Sequence, residues 1–206
     1  MTVFGQVKQK PTDFLPKGYV LFEKIIGDFN KDSMDDCVLL IKGTDKSKII
    51  TDEYRGKLDR NRRGLIVLLK TKEGYEVAIK NYDCFSSENE DGGVYFAPEL
   101  SLETKKEILY VHYGHGRYGY WKYTFRFQNS DFELIGYDES DNRGPVVNSE
   151  TSINFSTKIK QVKVNTNENA DSGEEVFKTT SKKIKIDQPI KLSVIKDFDE
   201  LDISKY

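Results

Sequence analysis

Residues 19–41 read Tyr-Val-Leu-Phe-Glu-Lys-Ile-Ile, then Gly-Asp-Phe-Asn-Lys-Asp-Ser-Met-Asp-Asp, then Cys-Val-Leu-Leu-Ile. Two apolar runs, 19–26 and 37–41, flank ten residues, 27–36, rich in small polar side chains. Both runs are short and rich in β-branched and aromatic residues, so they predict two strands joined by a turn. The five consecutive apolar residues from Cys37 to Ile41 predict a strand buried on both faces.

The turn has a chemistry of its own. Asp28, Asn30, Asp32 and Asp36 occupy positions 1, 3, 5 and 9 of a D-x-N-x-D-x-x-x-D pattern, with Met34 at position 7 able to offer its backbone carbonyl. Such spacing lets alternate oxygens converge as the backbone curls, and hard oxygen donors are what calcium takes. The carboxylates of Asp28, Asp32, Asp35 and Asp36 repel one another, and inside the loop only Lys31 offsets them. A helical calcium hand is disfavoured, because position 12 is Leu39 rather than Glu and the flanks are strand-like. The same residues also suit a solvated Asx-rich hairpin turn, which stays open as the plain alternative.

The G-D-x-N-x-D spacing over residues 19–41 resembles the calcium loops of FG-GAP (VCBS-like) repeats, which join two strands in integrin-α propellers and in many secreted bacterial proteins. One departure stands out: Ser33 replaces the glycine of that pattern, and serine tolerates a positive φ less well. As a whole the chain looks like secreted or lipoprotein-type proteins of Bacteroidota-like bacteria, a resemblance that implies no activity. The loop spacing and its likeness to FG-GAP loops imply calcium held by Asp28, Asn30, Asp32, Met34 and Asp36, with an affinity of about 10⁻⁴ M in an extracellular setting.

With 206 residues the chain can build one sizeable core. We expect residues 1–17 to form an extended N-terminal segment with a fragment reminiscent of a secretory signal, and 18–206 to form a single mainly β domain. Basic and acidic residues nearly balance at 32 and 34, which disfavours nucleic acid. No apolar run reaches the length of a membrane span. The calcium loop and the N-terminal fragment together point to a periplasmic, cell-surface or secreted protein, with a cytoplasmic one as the alternative. In an exported protein Cys37 and Cys84 are a disulfide candidate, contributing about 3–4 kcal/mol through chain entropy.

Further along, residues 64–69 and 75–79 predict a hairpin closed by Gly74. Residues 120–127 alternate, with Trp121, Tyr123, Phe125 and Phe127 on one face and Lys122, Thr124 and Arg126 on the other, pairing with 109–113. The fold class expected is therefore mainly β, built of antiparallel hairpins and meanders. The pattern aromatic–Glu–aliphatic–aliphatic at 75–79 recurs from Phe132, which hints at two blade-like units. Val176 to Ile186 alternates like a strand, with Lys182, Lys183 and Lys185 outward. Leu192, Ile195, Phe198, Leu201 and Ile203 predict a short helix or a tail packed on the sheet.

No nucleophile motif is present, so we expect no enzyme and no catalytic residues. The reading favoured is a binding module for a protein or carbohydrate partner, its surface drawn from Glu88, Glu90, Asp91, His115, Arg117 and Tyr118. A carbohydrate site would use Tyr113, Tyr118 and Tyr120 near the calcium loop. An immunity or inhibitor protein would present the acids 88–91 to a basic enzyme. A hydrolase would need His112 or His115 beside Glu88 or Glu90. The acids 88–91 have a third reading, as the place where Arg60, Arg62 and Arg63 dock.

Overall fold

A computed structural model describes residues 6–90 and 97–206. Strands β1 (Tyr19–Gly27), β2 (Asp36–Gly43), β5 (Arg63–Thr71) and β6 (Gly74–Phe85) form one sheet in the order β1-β2-β5-β6. Between β2 and β5 lies a small hairpin of β3 (Ile49–Asp52) and β4 (Gly56–Asp59). A second sheet is a seven-stranded meander of β7 (Glu99–Lys105), β8 (Ile108–Gly114), β9 (Gly119–Gln128), β10 (Asp131–Arg143), β11 (Val146–Asn154), β12 (Ile159–Asn165) and β13 (Phe177–Lys183), each strand beside the next. Every pairing is antiparallel, as the alternating patterns and short turns require.

The centre of the first sheet explains its unbroken apolar runs. β2 and β5 pair Cys37 with Leu68 and Leu39 with Ile66, and Cys37–Ile41 and Leu65–Leu68 are all buried. Val38, Leu40, Leu65 and Val67 face the second sheet and join Leu109, Val111, Tyr123 and Phe125 in the main core. Their neighbours Cys37, Leu39, Ile41, Ile66 and Leu68 point the other way, where Phe14 and Leu15 cover them. The N-terminal segment is therefore structural: its 3-10 turn Pro11–Phe14 places Phe14 on the outer face, and Lys8 bridges to Tyr75.

Residues 184–206 close the rest of the core. The tail form is the one adopted, with the 3-10 turn Leu192–Val194 and two further turns closed by Leu201 N–H on the Phe198 carbonyl and Tyr206 N–H on the Ile203 carbonyl. Asn81 fixes its course by donating both amide hydrogens, to the carbonyls of Leu192 (2.8 Å) and Ile195 (2.7 Å). Phe198 then enters an aromatic cluster, with ring centroids 4.9 Å from Phe85, 5.0 Å from Tyr123 and 6.2 Å from Phe125. The two similar stretches, 75–79 and the one beginning at Phe132, lie in different sheets, on β6 and β10.

The disulfide expectation is corrected here. Cys37 and Cys84 are separate buried thiols on opposite faces of the first sheet. Cys37 pairs with Leu68 at one end of β5, whereas Phe85, next to Cys84, pairs with Arg63 at the other. Five residues of strand span about 17 Å, far beyond the roughly 7 Å that a disulfide tolerates between Cα atoms. Burial pushes the Cys37 thiol up to about 11 and raises that of Cys84 as well, so both are inert packing groups.

Phe198 is the tail's main anchor, and Phe198→Ala is expected to lower unfolding free energy by about 3–5 kcal/mol, measured by urea denaturation.

Candidate functional site

The loop between β1 and β2 is held by its own acid side chains. Asp28 accepts from the N–H groups of Asp32 (3.1 Å) and Ser33 (2.9 Å), Asn30 from that of Asp32 (3.1 Å), and Asp32 from that of Met34 (2.8 Å). These nested Asx turns wind the chain tightly and drive Lys31 (φ 66°) and Ser33 (φ 65°) into the left-handed region. Ser33 thus takes the conformation that the glycine of the FG-GAP-like pattern would take, at a cost of about 1–2 kcal/mol relative to an unstrained residue.

Asp36 plays a different part. Fully buried, it accepts from Phe29 N–H at one oxygen (2.8 Å) and from Lys70 N–H at the other (2.8 Å), so it ties the loop to β5. Burial raises its carboxyl, against the opposing pull of the Lys70 and Phe29 N–H groups. Phe29 seals the loop from below against Phe132, with centroids 5.1 Å apart. Thr104 at the end of β7 donates to the Ile26 carbonyl (2.6 Å).

Do these residues fit a calcium ion? The donors are hard oxygens, and each oxygen of Asp28 spends one lone pair on an N–H and keeps another. Asn30 meanwhile donates its amide to Asp32 (2.9 Å). Among the described residues no three His, Cys, Asp or Glu side chains stand as a ready metal cluster. A complete shell would therefore draw on the Asn30 amide oxygen, the Met34 carbonyl and water beside Asp28 and Asp32. With both oxygens committed to backbone, Asp36 serves as anchor before it serves as ligand.

At the other end of the sandwich the acids after β6 meet the basic cluster. Lys42 pairs with Asp59 (2.8 Å) and Glu88 (3.4 Å), Arg60 with Glu90 (2.7 Å), and Arg62 with Asp197 (2.7 Å). Ser87 donates its hydroxyl to Glu90 (2.7 Å), and buried Arg63 donates to the Ser86 carbonyl (2.9 Å). Glu90 thus takes up Arg60 of the arginine cluster, whereas Glu88 pairs with Lys42 and Arg62 turns to Asp197. Their ion pairs offset part of the negative charge that the immunity reading would use, and Asp91 lies outside the described residues, as does 1–5 of the signal-like fragment. Burial alone would raise the Asp59 carboxyl, but Lys42 and the N–H and amide of Asn61 outweigh it and hold it down at about 2.

His115, Arg117 and Tyr118 come together with Ala97, Glu99, Gly114 and Gly116 around a pocket of about 370 Å³. The His115 ring lies 5.2 Å from Tyr118 and 6.5 Å from Trp121. His112 does not join them: it stacks on Tyr120 (5.5 Å) on the outward face of the second sheet. The carboxylate lining the pocket with His115 is Glu99, not Glu88 or Glu90. Tyr113, 1% exposed and stacked on Trp121 (5.4 Å), cannot be a surface contact for a sugar. Nor is the pocket near the loop, because Thr104 and Glu99 mark opposite ends of β7, about 17 Å apart.

Sequence reasoning missed Glu99, since β7 lacks a strong apolar run, and missed the β3–β4 hairpin, whose residues alternate weakly. Comparison with protein-family models, with curated proteins and with solved structures gives no match.

Two outcomes are expected here. Asp36→Asn keeps one acceptor and turns an NH₂ towards a backbone N–H, so it should cost about 1–3 kcal/mol in a denaturant melt. Asp59 ionises more readily in the folded chain, so its contribution to stability is present above its ordinary value of 3.8 and is lost as pH falls from there towards 2. Asp59→Asn should flatten that acid limb in urea melts taken across this range.

Proposed function

We propose that this is a non-enzymatic, exported binding protein whose β1–β2 loop takes a structural calcium ion. The single observation that carries the reading is the nested set of Asx turns with Lys31 and Ser33 at positive φ, which winds the oxygens of Asp28, Asn30 and Asp32 round one short stretch of backbone. A divalent ion there relieves the repulsion among neighbouring carboxylates and fixes the strand register, which Asp36 and Phe29 then transmit to both sheets. A site of about 10⁻⁴ M affinity fills at extracellular calcium levels and stays empty at cytosolic ones, which is why calcium and export go together in this reading.

Binding of a protein or carbohydrate partner is assigned to the pocket of His115, Arg117 and Tyr118 with Glu99. It lies at the far end of β7 from the loop, so the ion supports the scaffold and does not touch the partner.

Calorimetric titration of calcium into chelator-treated protein tests the metal. Heat of binding should appear for the wild type and vanish for Asp32→Ala. At a tenfold excess over Kd the ion should add about 1.4 kcal/mol, a rise of roughly 3–6 °C in Tm. Absence of both heat and shift reduces residues 27–36 to an acidic turn.

A further inference from the structure

Four strands border the two sheets, and three of them are protected. The free side of β6 is met at its start by Lys8, which exchanges backbone hydrogen bonds with Tyr75 (3.1 and 2.8 Å), and at its end by Phe198, whose N–H donates to the Cys84 carbonyl (2.9 Å). β7 lies against β1 through Thr104 and Ile26. β1 itself bulges at Phe22 and carries Glu23 and Lys24, features that discourage pairing. Among the described residues, β13 has no such cover.

All seven residues of β13 are exposed. Lys163 has Glu150 (2.8 Å) and Lys185 has Asp187 (3.1 Å), but no described acid pairs with Lys178, Lys182 or Lys183. Lys182 sits directly across from Lys160, whose ammonium donates to the Tyr206 carbonyl (2.9 Å), so two positive charges share this position of the sheet. The backbone is just as open. Ile184 N–H donates to the Lys158 carbonyl (3.0 Å) and the Val176 carbonyl accepts from Thr166 (2.7 Å), so even-numbered residues bond inward to β12. By alternation, Phe177, Thr179, Ser181 and Lys183 turn their N–H and C=O groups to the free edge.

We propose that β13 is a docking edge for an extended acidic segment of a partner protein, which adds antiparallel as an eighth strand. Lys178 and Lys182 project from one face of the strand and Lys183 from the other. A flat anionic membrane or a nucleic-acid backbone meets one face at a time, whereas a strand laid along the edge meets both. The register specifies the ligand: acids opposite Lys183, Lys182 and Lys178 and an apolar residue opposite Phe177, which reads acid-acid-x-x-x-acid-apolar. This surface is separate from the pocket of His115 and from the calcium loop and depends on neither.

The test uses the full-length protein and a labelled peptide, acetyl-Glu-Glu-Thr-Val-Thr-Glu-Val-amide, followed by fluorescence anisotropy. The wild type should bind, with slowed hydrogen exchange at the amides of Phe177, Thr179, Ser181 and Lys183. The double variant K178E/K182E should bind at least about tenfold more weakly and should instead take a peptide with lysines in place of the acids. These side chains are exposed, so circular dichroism should show an unchanged fold. Three results would overturn the proposal: no binding by the wild type, equal binding of a peptide with proline at its third position, opposite Ser181, where the ladder needs its N–H, or tighter capture of anionic phospholipid vesicles or duplex DNA by the same lysines.

Discussion

The pairing of β2 with β5 is the constraint that the remaining structure serves. Nine consecutive-in-register apolar residues, Cys37–Ile41 and Leu65–Leu68, cannot sit in a sheet with one wet face, because alternate side chains would then be exposed in a solid apolar stripe. Two covers are needed, and the chain supplies them from its two ends. Phe14 and Leu15 close the outer face, and the second sheet with Phe198 and its neighbours closes the inner one. The segments before β1 and after β13 are thus parts of the core, although their own composition is polar.

That arrangement explains what could be read from the residues. The runs at 37–41 and 64–69 and the alternation of Trp121, Tyr123, Phe125 and Phe127 are local signals, and they give the strands and their buried faces directly. The loop 27–36 was legible too, because Asx turns are made by side chains reaching their own neighbours. What depends on long-range register was not. Nothing near Cys84 says that it lies at the opposite end of β5 from Cys37, and nothing in residues 86–90 says that Arg60 and Lys42 arrive from the other side of two strands. β7 and the β3–β4 hairpin were invisible for a further reason: their side chains are half exposed, so burial imposes little pattern on them.

The charged residues divide by position. At the Gly114 end, cations and acids interlock closely enough to hold Asp59 well below the ordinary carboxylate range, while burial lowers the Arg63 guanidinium against the pull of the acids around it. At the Gly27 end, the carboxylates of Asp28, Asp32 and Asp36 accept from backbone N–H groups and the Asn30 amide, and form no ion pair among the described residues. An acidic loop satisfied by N–H groups alone keeps its net negative charge, whereas ion pairs cancel theirs. The asymmetry is why the divalent cation we propose is assigned to the loop and not to the larger charged cluster.

The same contrast applies to the sheet margins. Wherever this chain could close an edge it did so with ordinary means: a bridge at Lys8, the tail at Cys84, a bulge and charges on β1. Lysines on an edge commonly serve to repel other strands, and three on β13 would do that if repulsion were their whole effect. But repulsion of neutral or basic strands is attraction of acidic ones. Lys182 is moreover set against Lys160 within the same sheet, which adds no protection at the outer margin. A purely defensive edge gains nothing from that pairing. One that selects an acidic strand gains a second positive charge behind the first.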